Sequence, residues 1–152
     1  QERGSSAINI RYQRTCERLR VAEDPGASRR QRILATITSV STGVKAPFDW
    51  GVITWLCNGK IDPEAQMTFG VVTIEAGKQN PRHYHPNCEE YIFVMKGECR
   101  HSLNDETFHL KAGDMLRIPQ NAWHHAVNTG DEPVEMVIVY SSPDRQTVGE
   151  GL

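Results

Sequence analysis

Residues 77–97 read GKQNPRHYHPNCEEYIFVMKG, and this stretch is the most informative in the chain. Successive side chains on a strand point to opposite faces, so His83 and His85, one residue apart, project their imidazoles to the same side. Two imidazoles held that way can share an ion. A carboxylate follows at Glu89 or Glu90, and a third imidazole comes at His124 or His125. Within each adjacent pair, strand alternation turns one member away from a shared ion. Three neutral imidazoles and one carboxylate make a mixed N/O donor set of borderline hardness, suited to Fe(II), Mn(II), Ni(II), Co(II) or Zn(II). A bare His-x-His often arises on a surface by coincidence. The added carboxylate and distant imidazole make coincidence a poor account here.

Outward from this stretch, short runs rich in Val, Ile, Phe and Thr recur at 50–57, 67–75, 82–85, 90–96, 98–103, 106–110, 115–118, 123–127 and 134–141. Turn-forming residues separate many of them, among them Asn58-Gly59, Ala76-Gly77, Gly97, Asn104-Asp105, Gly113-Asp114 and Gly130-Asp131. Nine short strands with no long helical pattern between them predict an all-β sandwich or barrel over 47–142. No internal repeat is visible.

A chain of 152 residues, 38% of them hydrophobic, fits one domain with a real core. The net charge of −2 argues against a uniformly basic nucleic-acid binder. That average hides an asymmetry: residues 1–46 carry +5 and residues 47–152 carry −7. The expected organisation is a basic N-terminal extension over 1–46, a barrel over 47–142 and a C-terminal tail over 143–152. In the extension, 10–21 reads as a short basic helix, with Arg29, Arg30 and Arg32 beyond a break at Asp24-Pro25-Gly26. It fits either a phosphate-gripping arm or a solvated, dimer-contacting segment, and the second reading is preferred. Residues 33–40 do not decide between helix and strand. No apolar run approaches the roughly 18 residues of a membrane span. No charged-then-apolar leader is visible, although the start at Gln1 leaves a removed leader open. Four cysteines without a Cys-x-x-Cys pair make the reducing cytoplasm the expected setting.

The histidine-bearing region resembles the cupin family. The first cupin motif, G(x)5HxH(x)3–4E(x)6G, is matched from Gly77 through His83, His85 and Glu90 to Gly97. The second, G(x)5PxG(x)2H(x)3N, runs from Gly113 through Pro119, Asn121 and His124 to Asn128, with Asn121 where glycine is usual. Asparagine tolerates positive φ, so that turn is expected to survive. The resemblance implies a double-stranded β-helix (a jelly-roll barrel) with a metal near one open mouth. It selects Glu90 over Glu89 and His124 over His125. The implied ligands are His83, His85, Glu90 and His124, around one divalent transition metal (Fe, Mn, Ni, Co or Zn).

Such a family includes dioxygenases, decarboxylases, isomerases, lyases, sugar-binding domains and storage proteins, and fold alone does not choose among them. The complete ligand set favours a metal-dependent enzyme acting on a small oxygenated or aromatic molecule, with dioxygenase as the first reading. A Lewis-acid lyase, isomerase or decarboxylase is the second, and a non-enzymatic metal- or ligand-binding module the third. Cupin lyases that cleave dimethylsulfoniopropionate use a tyrosine two residues after the ligand glutamate, where this chain has Ile92. Thiol dioxygenases of the family tend to lack the glutamate, so Glu90 argues against them. Candidate substrate-binding residues are Arg117, within the apolar run 115–118, and His101 with Cys99, which share a strand face. Ile92 and Val94 share the face of Glu90 and would wall the cavity. Trp50, Trp55 and Phe69 read as core or interface residues. Cys88, beside two carboxylates, is poorly placed for a thiolate nucleophile. Cupins usually pair, so a homodimer built by sheet extension is expected, with no membrane or nucleic-acid partner.

Overall fold

The computed structural model describes residues 36–149. The 10–21 helix and Arg29, Arg30 and Arg32 lie outside the described residues, as does Cys16. Residues 36–40, undecided between helix and strand, make one isolated bridge and then enter a turn. The strands are β1 (Val44–Phe48), β2 (Gly51–Cys57), β3 (Thr68–Ile74), β4 (His83–Tyr84), β5 (Glu90–Lys96), β6 (Glu98–Leu103), β7 (Glu106–Lys111), β8 (Met115–Ile118), β9 (His124–Val127), β10 (Val134–Tyr140) and β11 (Val148–Gly149). All nine expected strands are present, each within one residue of its expected ends. Strands β1 and β11 are additional, and they carry the barrel past both expected limits of 47 and 142. Among the described residues there is no helix, and none therefore long and apolar enough to cross a membrane.

The strands form two antiparallel sheets that face each other as a jelly-roll barrel. One has the order β1-β2-β3-β10-β5-β8, the other β11-β4-β9-β6-β7. Alternation sets the interior. Val134, Met136, Ile138 and Tyr140 of β10 point inward, with Ile92 and Val94 of β5 and Ile74 of β3. Full burial of one such aliphatic side chain is worth about 1.5–3 kcal/mol, so these positions dominate the stability of the barrel. The opposite face of the larger sheet is also apolar in part. Val71 pairs with Val137, Val137 with Phe93 and Phe93 with Met115, which aligns these side chains across four strands. Phe69, Phe93, Met95 and Met115 stay exposed there.

Two turns fasten the sheets around the future site. Asn128 is buried, and its amide donates to the carbonyls of Ile74 and Glu132 while its Oδ1 accepts from the Gly130 amide. The 119–122 turn docks on the loop after β4, where the Asn121 amide donates to the His85 carbonyl at 3.0 Å. Asn121 takes φ of 65° in that turn, the left-handed conformation that a glycine would adopt freely. Replacing Asn121 by glycine should leave thermal stability unchanged or slightly raised. Asn121→Val should lower it by about 1–2 kcal/mol, read as a drop in Tm, because a β-branched residue resists positive φ.

Candidate metal centre

Four side chains from four places in the chain meet inside the barrel. His83 on β4 pairs directly with His124 on β9, which brings their rings to 4.2 Å between centroids. His85 follows at the end of β4, with its ring 5.0 Å from His83 and 5.2 Å from His124. Glu90 opens β5 on the facing sheet. One ligand atom from each of the four lies within 4.8 Å of all the others. His85, Glu90 and His124 are buried, and His83 is partly so.

The hydrogen bonds fix which nitrogen faces the centre. His83 Nδ1 lies 2.7 Å from the Pro81 carbonyl, His85 Nδ1 2.7 Å from the Gln146 carbonyl and His124 Nδ1 2.9 Å from the Ala122 carbonyl. A carbonyl only accepts, so each Nδ1 carries a proton and each ring turns its Nε2 inward, where it offers a lone pair whenever the ring is neutral. His85 Nε2 and His124 Nε2 then stand 3.1 Å and 2.9 Å from the same Glu90 oxygen. Lone pairs this close to a carboxylate repel unless a cation sits between them, either a proton or a metal ion. Backbone-oriented imidazoles around a buried carboxylate are the arrangement by which proteins hold a divalent transition metal. The cluster fits such an ion.

Burial pushes the Glu90 carboxyl up, but contact with His124 and His85 outweighs it and holds the group well below the usual carboxylate range. Burial first, and neighbouring His124 second, push His83 down to about 3, so it is neutral and available as a donor. Tyr140 stands with its ring 5.0 Å from His85. Burial and the nearby Glu90 charge raise its phenol well above the ordinary value, so it keeps its proton.

The rejected members of each pair face elsewhere. Glu89 accepts from the Tyr91 hydroxyl at 2.8 Å and from Arg117 Nε at 2.8 Å. His125 Nδ1 meets the Ser102 hydroxyl. Arg117 is therefore corrected as a substrate-binding candidate. It pairs with Tyr91 across β5 and β8, on the face opposite Glu90, and its side chain is more than half exposed. His101 does line the cavity beside the cluster, with its ring 5.9 Å from that of His124 and nearly parallel to it. Its Nδ1 is buried without a hydrogen-bond partner. Burial foremost, and His124 next, push its imidazole down to about 4. Cys99 shares that strand face but is packed in the core, away from the cavity lining, and burial raises its thiol to about 11. Cys88 is likewise buried, with its thiol raised to about 11 by burial and then by Glu90.

The cluster opens on a cavity of about 270 Å³. Phe48, Trp50, Ile53, Ile92, Met136 and Ile138 give it aromatic and aliphatic walls. Trp50 lines it, whereas Trp55 packs against Tyr140 and Phe69 faces outward. Val94, expected to wall the cavity with Ile92, is instead packed in the core and is not part of the lining. The residues 145–147, read as tail, close over the centre: Gln146 supplies the carbonyl that orients His85, and Arg145 and Thr147 line the cavity. No sequence signal marked them. Tyr140 was legible in principle, since strand alternation from Val134 places it inside.

Two antiparallel sheets enclosing a buried cluster of three histidines and one glutamate define a jelly-roll protein of the metal-binding kind. Residues 70–140 match the family model described as Cupin domain. This matched region is a domain of the cupin superfamily. It is similar to polyketide synthase CurC of Streptomyces cyaneus, 38% identical over 69 residues that make 45% of either chain. It is also similar to oxalate decarboxylase OxdC of Bacillus subtilis (strain 168), 31% identical over 75 residues, 46% of this chain and 20% of that one. Among solved structures, Lactobacillus farciminis oxalate decarboxylase in its formate complex matches with a TM-score of 0.67 and 27% identity, over 72% of this chain and 34% of that chain. The chain thus spans less than half the length of these relatives.

Metal analysis by mass spectrometry should separate the paired residues. Glu90→Gln and His124→Ala should lose most bound metal, whereas Glu89→Gln and His125→Ala should keep it. Returning metal to stripped protein at a hundred times its Kd should add about 2.7 kcal/mol of stability.

Proposed function

We propose that this chain is a metal-dependent cupin enzyme that acts on a small oxygenated or aromatic molecule, with dioxygenase chemistry as the first reading. One observation carries it: a buried three-histidine, one-carboxylate cluster opens on a cavity with aromatic and aliphatic walls. His83, His85, Glu90 and His124 would hold one divalent ion (Fe, Mn, Ni, Co or Zn). Such an ion supplies a Lewis acid and, where it is redox-active, electrons for dioxygen.

The chain's own residues do the rest. The carbonyls of Pro81, Ala122 and Gln146 hold three imidazoles in one tautomer, so the donor set is organised before substrate arrives. Ile92, Met136 and Ile138 keep water from one side of the centre and present an apolar surface to the substrate. Tyr140, which keeps its proton, hydrogen-bonds Glu90 and helps to hold that carboxylate in place. His101 lines the same space.

A non-oxidative decarboxylase or lyase is the second reading, and the similarity to oxalate decarboxylases supports it. The homodimer is part of the same proposal. Its support is the apolar ladder of Phe69, Phe93 and Met115, rather than the edge strand β1, where Pro47 lacks an amide for pairing.

Oxygen uptake on catechols, diketones and hydroxy acids tests the chemistry. Iron-loaded protein should consume oxygen with at least one class, and Glu90→Gln should abolish the uptake. Turnover of equal rate with zinc and no oxygen uptake would replace the first reading by the second. Light scattering tests the assembly: wild-type protein should be a dimer, and Phe93→Lys should shift it to monomer.

A further inference from the structure

Among the described residues the lining of the cavity includes one arginine and no lysine, and that arginine is Arg145. It belongs to neither cupin motif and stands in the segment between β10 and β11. Its neighbours are pinned on both sides. Asn87 Nδ2 donates to the Asp144 carbonyl at 2.7 Å, and the Gln146 amide donates to Asn87 Oδ1 at 2.9 Å. The Gln146 carbonyl in turn accepts from His85 Nδ1. Arg145 is therefore held in register with a ligand histidine.

The side chain is fixed as well. Its guanidinium carbon lies 4.8 Å from the Trp55 ring centroid and 5.1 Å from that of Tyr140, and Nη1 donates to the Thr147 hydroxyl. Cation–π contact uses the face of a guanidinium and leaves its edge, where the N–H groups lie, free to bond. Among the described residues no carboxylate forms an ion pair with it. A half-buried guanidinium, preorganised on two rings and with no ion-paired carboxylate among the described residues, is suited to a carboxylate guest in bidentate geometry. Charge points the same way. Glu90 and Arg145 cancel, so a divalent ion would leave the cavity positive.

We infer that Arg145 recognises the carboxylate of the substrate, and that the substrate class is small organic acids with an apolar or aromatic body. The body would lie on the wall of Phe48, Trp50 and Ile53. The inference rests on the cavity being the reaction site proposed above. Arg145 thereby takes the role that the sequence suggested for Arg117, which lies on the outer face.

Isothermal titration with benzoate and with benzamide, its neutral isostere, tests this on wild-type, Arg145→Gln and Arg145→Lys proteins. Each is measured metal-loaded and metal-stripped, with metal content and Tm recorded. Wild-type protein should bind benzoate at least about tenfold more tightly than benzamide. Arg145→Gln should erase that preference with metal content unchanged, and Arg145→Lys should keep part of it. The inference is overturned if wild-type protein fails to bind benzoate or binds both probes equally. It is also overturned if Arg145→Gln keeps the preference, including the case in which only its Tm falls. A wild-type protein that holds no metal would overturn the metal reading alone, because the metal-stripped arm still decides the role of Arg145. The comparison of two probes on wild-type protein stands even if a variant fails to fold.

Discussion

A single buried carboxylate, Glu90, sets the terms for the rest of this barrel. An ionised group in an apolar interior is costly unless partnered, and each of its partners must be supplied from another strand. Two of the three imidazoles contact it from the facing sheet. They do so with their acceptor nitrogens, because backbone carbonyls occupy the other ring positions. The interior is thus arranged for a positive charge at one point, and the apolar residues of β5 and β10 surround that point without satisfying it.

Much of this was legible in the sequence because a period of two is a strong constraint. It placed His83 and His85 together, and the two motif spacings chose Glu90 and His124 from adjacent pairs. The strand boundaries followed from punctuation by Gly, Asn and Asp. Asn121 is instructive: a departure from the motif that the turn absorbs by taking the expected left-handed φ.

What escaped did so for physical reasons. Strand β1 contains Lys45 and Pro47 and shows little alternation, and β11 is two residues long. Neither has a local signature, since both exist by pairing with strands already in place. Arg117 looked like a charged intruder in an apolar run, but with only four residues the run did not reveal which of its faces is buried. Arg145 looked like part of a solvated tail. Its position depends on Asn87 and His85, some sixty residues away, and local sequence carries no trace of such contacts.

The carbonyl of Gln146 has a temporal consequence. His85 is synthesised before the group that orients its ring, which lies 61 residues further on. The donor set therefore stays incomplete on a nascent chain until Gln146 has been made and has folded back across the barrel. Contacts of such long range form late and slowly. A chain stopped at β10 would hold all four residues of the cluster and lack the group that aims one of them.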